Sequence, residues 1–121
     1  TIALVEQELR KNTLAENIIV DCSHANSNKD PGLQPLVMQD LAAQIADGNR
    51  SIVGAMIESN IGFGNQPIPA DLSQLKYGVS VTDGCLDWER TEKSLREVRL
   101  KLKDVLPARA GKPGAEVVNL R

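Results

Sequence analysis

Three residues of the types that bind divalent metals stand at separate positions in this sequence: His24, Glu58 and Asp83. His24 is the only histidine and follows the short apolar run "NIIVDCS", while Glu58 lies at the end of a second apolar run, "SIVGAMIES". One imidazole and two carboxylates form a ligand set suited to a first-row metal such as manganese or iron. Taken singly, however, a histidine at a strand end or a carboxylate near a helix is more often a hydrogen-bonded or solvated residue. The metal interpretation therefore depends on whether the fold brings the three together.

The two apolar runs predict strands, because each is short, rich in β-branched residues and bounded by polar ones. Between them, Val37, Leu41 and Ile45 recur every four residues and predict a helix over residues 35–46, with Gly48 at its C-terminal end. A helix between two apolar strands is typical of a parallel β-α-β unit. The carboxyl ends of parallel strands share one edge of the sheet, where α/β proteins place their chemistry. We therefore expect His24 and Glu58 at the same edge.

Side chains alternate between the two faces of an extended strand. If the first strand runs through His24, Cys22 shares its face and Asp21 points the other way, toward the helices. We expect Cys22 to be a small core residue or, as an alternative, a neighbour of the metal. The second strand is apolar through most of its length, which predicts cover on both of its faces.

The remaining segments predict two more helices and a long loop. Leu4, Val5 and Leu9 mark one face of an N-terminal helix, and residues 60–78 are rich in Gly and Pro and predict a loop. A helix is predicted over residues 88–106, with Asp87 as its N-cap and with an apolar stripe of Leu95, Val98, Leu102 and Val105. Asp83 lies just before this helix, so a loop returning over the strand ends would carry it toward the other two candidate ligands. We expect residues 1–106 to form the folded part and residues 107–121 a flexible tail.

The composition narrows the function classes. The chain has 121 residues, a net charge of -2, two cysteines and only three aromatic residues. These values predict no nucleic-acid binding, no membrane span and a reducing, cytoplasmic location. Two strands leave sheet edges unpaired, so we expect the sequence to be part of a longer protein and to form homo-oligomers.

Three stretches of the chain match a known family: "DCSHANSNK", "GAMIESNIGFGNQ" and "KYGVSVTDGCLDWERTE". In type, order and spacing they resemble the C-terminal third of class I 3-deoxy-D-arabino-heptulosonate-7-phosphate (DAHP) synthase, over residues 4–107. The resemblance implies an α/β C-terminal fragment of a (β/α)8 TIM barrel, containing its last two strands with their flanking helices. It also implies a transferase that condenses phosphoenolpyruvate and D-erythrose 4-phosphate to DAHP plus phosphate, the first step of the shikimate pathway.

The same resemblance implies that His24, Glu58 and Asp83 bind a divalent metal, with Mn²⁺ or Fe²⁺ expected. A fourth ligand, a cysteine, belongs to a part of the family's sequence that is not present here, and neither Cys22 nor Cys85 lies in its motif. The basic residues that hold the substrates also lie outside this chain, so we expect the chain alone to be inactive. Ser23 and Asn26 are candidates to orient His24, with ordinary loop hydrogen bonds as the alternative.

Two other classes of function remain compatible with the sequence. One is a non-catalytic binding or regulatory module that reuses this part of a barrel, although retention of all three ligand residues argues against it. The other is a different metal-dependent β/α-barrel aldolase. A purely structural module should show no metal affinity that depends on Glu58. A cysteine ligand motif and phosphate-binding basic residues in the missing N-terminal part would favour the synthase over a different aldolase.

Overall fold

The computed structural model describes residues 1–110, which form an α/β fold with a small parallel sheet. The elements in chain order are α1 (Ile2–Lys11), β1 (Ile18–Asp21), α2 (Gln34–Ala46), β2 (Ile52–Met56), α3 (Trp88–Leu102) and α4 (Val105–Ala110). Short 3₁₀ helices lie at Ala25–Ser27, Pro31–Leu33 and Leu72–Gln74. The predicted order of helices and strands is confirmed. Over the described part of the chain, every helix is too short or too polar to cross a bilayer.

β1 and β2 pair in parallel, as predicted, with α2 as the connection between them. Ile18 pairs with Ile52 and Asp21 with Met56, and the register shifts between Ile18 and Ile19. Ile52 and Gly54 would share a face in a regular strand. Because of the irregularity, Ile52 is buried in the core while Gly54 lies next to the exposed Ile19. The carboxyl ends of both strands reach the same edge of the sheet.

The hydrophobic core lies on one face of this sheet. Its centre consists of Cys22, Met38, Leu41 and Ile52, and side chains from α1, α2 and α3 pack against it. The other face is open: Ile19 is 70% exposed and Met56, two residues beyond Gly54, is 37% exposed. The prediction that β2 is covered on both faces is wrong for this chain, because its helices all pack against the same core.

The first and last helices differ in detail from the predicted ones. In α1 the partly buried Ile2 contacts the core, whereas Leu4 and Val5 are exposed, so the predicted apolar face is wrong at those two positions. In α3 the Asp87 side chain accepts a hydrogen bond from the Arg90 N–H, which confirms the predicted N-cap.

α3 ends at Leu102, and α4 begins at Val105. Proline has no N–H to donate to the preceding turn, so Pro107 favours the start of a new helix over the continuation of the old one. The predicted flexible tail is therefore helical over residues 107–110. Its remaining residues, 111–121, lie outside the described part of the chain.

Arg109 of α4 meets the outer edge of β2. Its guanidinium donates hydrogen bonds to the carbonyl oxygen of Ile52, at 2.9 Å, and to that of Arg50. The Ile52 carbonyl oxygen, which could otherwise accept a hydrogen bond from another strand, is thus occupied. The outer edge of β2 is partly capped at its start.

Candidate metal centre

The side chains of His24, Glu58 and Asp83 converge beyond the carboxyl ends of the two strands. His24 Nε2 lies 3.5 Å from Asp83 Oδ2 and 3.9 Å from Glu58 Oε1. One ligand atom from each residue lies within 4.8 Å of the other two. His24 and Glu58 are half-buried and Asp83 is exposed. The structure therefore brings together the three residues that the sequence singled out.

His24 is positioned by the turn that ends β1. The strand stops at Asp21, and the Asp21 carboxylate accepts hydrogen bonds from the Ser23 N–H at 2.8 Å and the Ser23 hydroxyl at 2.6 Å. His24 Nδ1 lies 2.6 Å from the other carboxylate oxygen of Asp21. The loop that follows His24 is held by a hydrogen bond from the Lys29 N–H to the His24 carbonyl oxygen.

Glu58 is positioned by a glutamine at the start of α2. The Gln34 side chain accepts from the Glu58 N–H at 2.8 Å and donates to the Glu58 carbonyl oxygen at 3.1 Å. The Leu86 N–H donates to the same carbonyl at 2.9 Å. Gln34 is completely buried, so water does not compete for these bonds. The main chain that presents the Glu58 carboxylate is therefore held from two sides.

Asp83 is positioned by pairing between two parts of the long loop. Gly64 and Cys85 exchange two main-chain hydrogen bonds, of 2.8 and 3.0 Å, and Asn65 Nδ2 donates to the Thr82 carbonyl at 2.8 Å. These bonds flank Asp83 on both sides. Asn65 is thus part of the loop architecture, with its side chain directed to the main chain beside the candidate ligand.

The charges in the cluster are unbalanced. Within residues 1–110, the ion pairs of Glu58 and Asp83 involve His24, and neither carboxylate pairs with a lysine or arginine. The hydrogen bond that the His24 ring donates to Asp21, together with the negative charge of Asp21, raises the pKa of His24, with smaller contributions from Glu58 and Asp83. Hydrogen bonds from Ser23 hold the pKa of Asp21 far below its usual range. The site is an anionic cluster, which is the electrostatic character that a cation site requires.

The structure corrects the sequence-based assignment of faces at β1. Cys22 is fully buried in the core between the sheet and the helices, whereas the Asp21 side chain reaches His24. The assignment was wrong because the strand ends at Asp21, so simple alternation does not extend to His24. Burial raises the pKa of the Cys22 thiol to about 11. Cys22 is therefore a protonated core residue, and the alternative of a place near the metal is wrong.

The two predicted orienting residues differ in what they touch. The Ser23 hydroxyl lies 3.0 Å from His24 Nδ1, whereas the Asn26 side chain donates to the main-chain carbonyl of Asp21. Sequence reasoning missed Asp21 and Gln34. Asp21 had a usable signal, since a carboxylate three residues before a histidine at a strand end can reach its ring. Gln34 had none, because its partner is a main-chain group 24 residues away.

Comparisons with known proteins point to one family. The model of the DAHP synthetase I family matches residues 1–96. The chain is 52% identical over 108 residues to the Tyr-sensitive phospho-2-dehydro-3-deoxyheptonate aldolase of Escherichia coli K12, covering 89% of this chain and 30% of that protein. It is 51% identical over 84 residues to the tyrosine-inhibited enzyme of Candida albicans, covering 67% of this chain and 23% of that protein.

A solved structure shares the fold. The phospho-2-dehydro-3-deoxyheptonate aldolase of Francisella tularensis SCHU S4 superimposes with a TM-score of 0.77 at 38% identity, over 84% of this chain and 29% of that chain. The chain thus spans less than a third of the length of the Escherichia coli relative and of this structural neighbour.

Proposed function

Because this chain belongs to the DAHP synthetase I family, we propose that it provides three ligands of a divalent metal site in a DAHP synthase. The reaction is the condensation of phosphoenolpyruvate with D-erythrose 4-phosphate to DAHP and phosphate, the first step of the shikimate pathway. The observation that supports it is the convergence of His24, Glu58 and Asp83 at one point. Within the enzyme, we place β1 and β2 as the last two strands of a (β/α)8 barrel.

The donor set fits a metal such as Mn²⁺ or Fe²⁺. Imidazole and carboxylate donors suit these ions, and three negative charges surround one imidazole when Asp21 is included. Nitrogen and oxygen ligands at about 2.0–2.2 Å from a metal lie up to about 4.4 Å apart. The observed separations, all within 4.8 Å, need to contract only slightly to reach that range.

A bound divalent cation supplies Lewis acidity to the aldehyde oxygen of the sugar phosphate. The residues of this chain have separate tasks around it. Glu58 and Asp83 supply the negative charge that retains a cation, and His24 offers the lone pair of Nε2. Gln34 and Asn65 hold the main chain on which the two carboxylates are placed. The negative charge of Glu58 and Asp83 would by itself disfavour a phosphate group beside them.

We propose that the isolated chain is inactive and self-associates. Ile19 and Met56 leave an apolar surface on the open face of the sheet, and the outer edge of β1 offers unpaired main-chain groups. In the complete enzyme, neighbouring barrel strands and inward-facing side chains cover these groups. The substrates and the homo-oligomeric state belong to that complete enzyme.

The proposal is tested in the intact enzyme that contains this sequence. We expect Mn²⁺-dependent formation of DAHP from phosphoenolpyruvate and D-erythrose 4-phosphate, together with Mn²⁺ binding measured by calorimetry. Glu58→Gln keeps the shape of the side chain but removes its charge, and should weaken Mn²⁺ binding and abolish Mn²⁺-dependent turnover. The matched control is Glu89→Gln, an exposed residue in the first turn of α3. Equal Mn²⁺ affinity in the two variants would contradict the metal site, and metal-dependent use of other substrates would indicate a different aldolase.

A further inference from the structure

We propose that Asp21 is a positioning residue, which fixes the orientation and tautomer of the His24 ring so that Nε2 is free to bind a cation. This inference rests on the proposed metal site and adds a residue to it. Asp21 is the last residue of β1 and precedes His24 by three positions. Its Oδ2 lies 2.6 Å from His24 Nδ1, the shortest contact that the imidazole makes with a charged group in the described residues.

The Asp21 carboxylate is itself held in place. Its Oδ1 accepts from the Ser23 N–H and the Ser23 hydroxyl, so both carboxylate oxygens have assigned partners. The Asn26 side chain donates to the Asp21 carbonyl at 2.7 Å and fixes the main chain as well. With three hydrogen bonds on its carboxylate, the Asp21 side chain has little freedom to turn away from the ring.

This arrangement determines the His24 tautomer. An ionised carboxylate only accepts hydrogen bonds, so the nitrogen that faces it, Nδ1, carries the proton. In the neutral ring the lone pair is then on Nε2, and Nε2 is the nitrogen that faces Glu58 and Asp83. The opposite tautomer would place an N–H at the point where the three candidate ligands converge, and would exclude a cation there.

A purely structural role for Asp21 makes a different prediction. The bonds to Ser23 form a turn in which the side chain mimics the backbone, and this turn needs only one oxygen of residue 21. Asp21→Asn separates the two roles, because Oδ1 of the asparagine preserves the turn. The amide NH₂ then faces His24 Nδ1 and requires that nitrogen to accept, which favours the tautomer with the proton on Nε2.

The experiment uses the 121-residue chain, in which His24 is the only histidine, so its ring signals need no assignment among several residues. Nitrogen-15 NMR of the ring, at a pH where it is neutral and without metal, reports the tautomer directly. We expect the Nδ1–H form in the unaltered chain and a shift toward the Nε2–H form in Asp21→Asn. The control Asp30→Asn alters a capping carboxylate in the same loop, which accepts its hydrogen bond from the Gly32 N–H and none from the His24 ring, and should match the unaltered chain.

The second measurement is the binding of Mn²⁺, followed by paramagnetic broadening of the His24 ring signals. Asp21→Asn should weaken Mn²⁺ binding about 10–100-fold relative to Asp30→Asn, the loss typical of an outer partner of a metal-bound histidine. An unchanged tautomer in Asp21→Asn, or a changed tautomer with unchanged Mn²⁺ affinity, would overturn the inference. The proposed metal site has its own test: if Mn²⁺ broadens the His24 signals equally in the unaltered chain and in Glu58→Gln, the metal site is wrong. In that case the tautomer measurement still tests whether Asp21 orients the ring.

Discussion

The side-chain amide of Gln34 forms two hydrogen bonds with the main chain of Glu58, one as acceptor at 2.8 Å and one as donor at 3.1 Å. The pair joins the first turn of α2 to the second residue beyond β2, where the chain leaves the sheet. The Gln34 amide thus bonds both the N–H and the carbonyl oxygen of Glu58, as the main chain of a neighbouring strand would. The candidate ligand is fixed through its main chain, although its carboxylate remains accessible.

Gln34→Ala should destabilise the chain by about 1–3 kcal/mol, because the buried Glu58 N–H loses its partner. The Glu58 carbonyl keeps its bond from the Leu86 N–H, which limits the loss. Urea denaturation at a fixed protein concentration measures the change. Gln39→Ala, on the exposed side of the same helix, should cost less than about 0.5 kcal/mol. Equal losses in the two variants would contradict the role of the buried amide.

Asn65→Ala should weaken Mn²⁺ binding in the intact enzyme without altering a ligand. The substitution removes the bond to the Thr82 carbonyl and loosens the segment that presents Asp83. Its cost in stability should be about 1 kcal/mol. Asn12→Ala is a matched control, because it also removes a 2.8 Å bond from an asparagine side chain to a carbonyl, at the end of α1. Calorimetric titration of both variants should show lower Mn²⁺ affinity only in Asn65→Ala.

Glu6 should make the stability of the chain dependent on pH on the acid side. Hydrogen bonds from Ser51 and Asn49 hold the pKa of this carboxyl below its ordinary value of 4.5. A group with a lowered folded-state pKa contributes stability that is present above its unfolded pKa and is lost as the pH falls through the folded pKa. The difference in urea midpoint between the unaltered chain and Glu6→Gln should therefore shrink as the pH falls below about 4.5. A difference that is constant with pH would exclude this coupling of α1 to the start of β2.

The isolated chain should elute from gel filtration as an oligomer whose size increases with concentration. Ile19→Lys places a charge on the open face of the sheet, where the native side chain is 70% exposed, and should shift elution toward the monomer. Leu100→Lys alters a side chain that is 67% exposed on α3, and should leave the elution unchanged. A monomer at every concentration, or equal effects of the two variants, would contradict association through the sheet.

Much of the fold was predictable because its signals are local. Both strands, the parallel pairing, the helix over α2 and the Asp87 cap follow from periodicity and short-range chemistry. Gly48 also lies where predicted, just beyond α2, with a φ of 109° that a glycine adopts without strain. The proximity of His24 and Glu58 followed from a general property of parallel sheets, namely that strand ends meet at one edge, and that of Asp83 from a loop that returns over this edge.

The errors arise where geometry changes within one or two residues. β1 stops three residues before His24. The prediction extended the alternation of side chains to His24, and therefore placed Cys22 on the His24 side and Asp21 on the helix side, the reverse of what is observed. The strand predicted to be covered on both faces has a register shift after Ile18, with Ile52 in the core and Gly54 on the open side. The role of Gln34 depends on a contact between residues far apart in sequence, for which a single sequence contains no signal.

The three candidate ligands come from segments that are brought together only when β1 and β2 have paired and the long loop has returned over them. An ion that binds this closed arrangement, and not the unfolded chain, adds to the free energy of unfolding by mass action, by about 2.7 kcal/mol when its free concentration is 100 times its Kd. If the proposed metal site is correct, the supply of the ion would determine how often the loop is closed. A chelator would act on such a protein as a mild denaturant, and starvation for the metal would expose the loop to proteases.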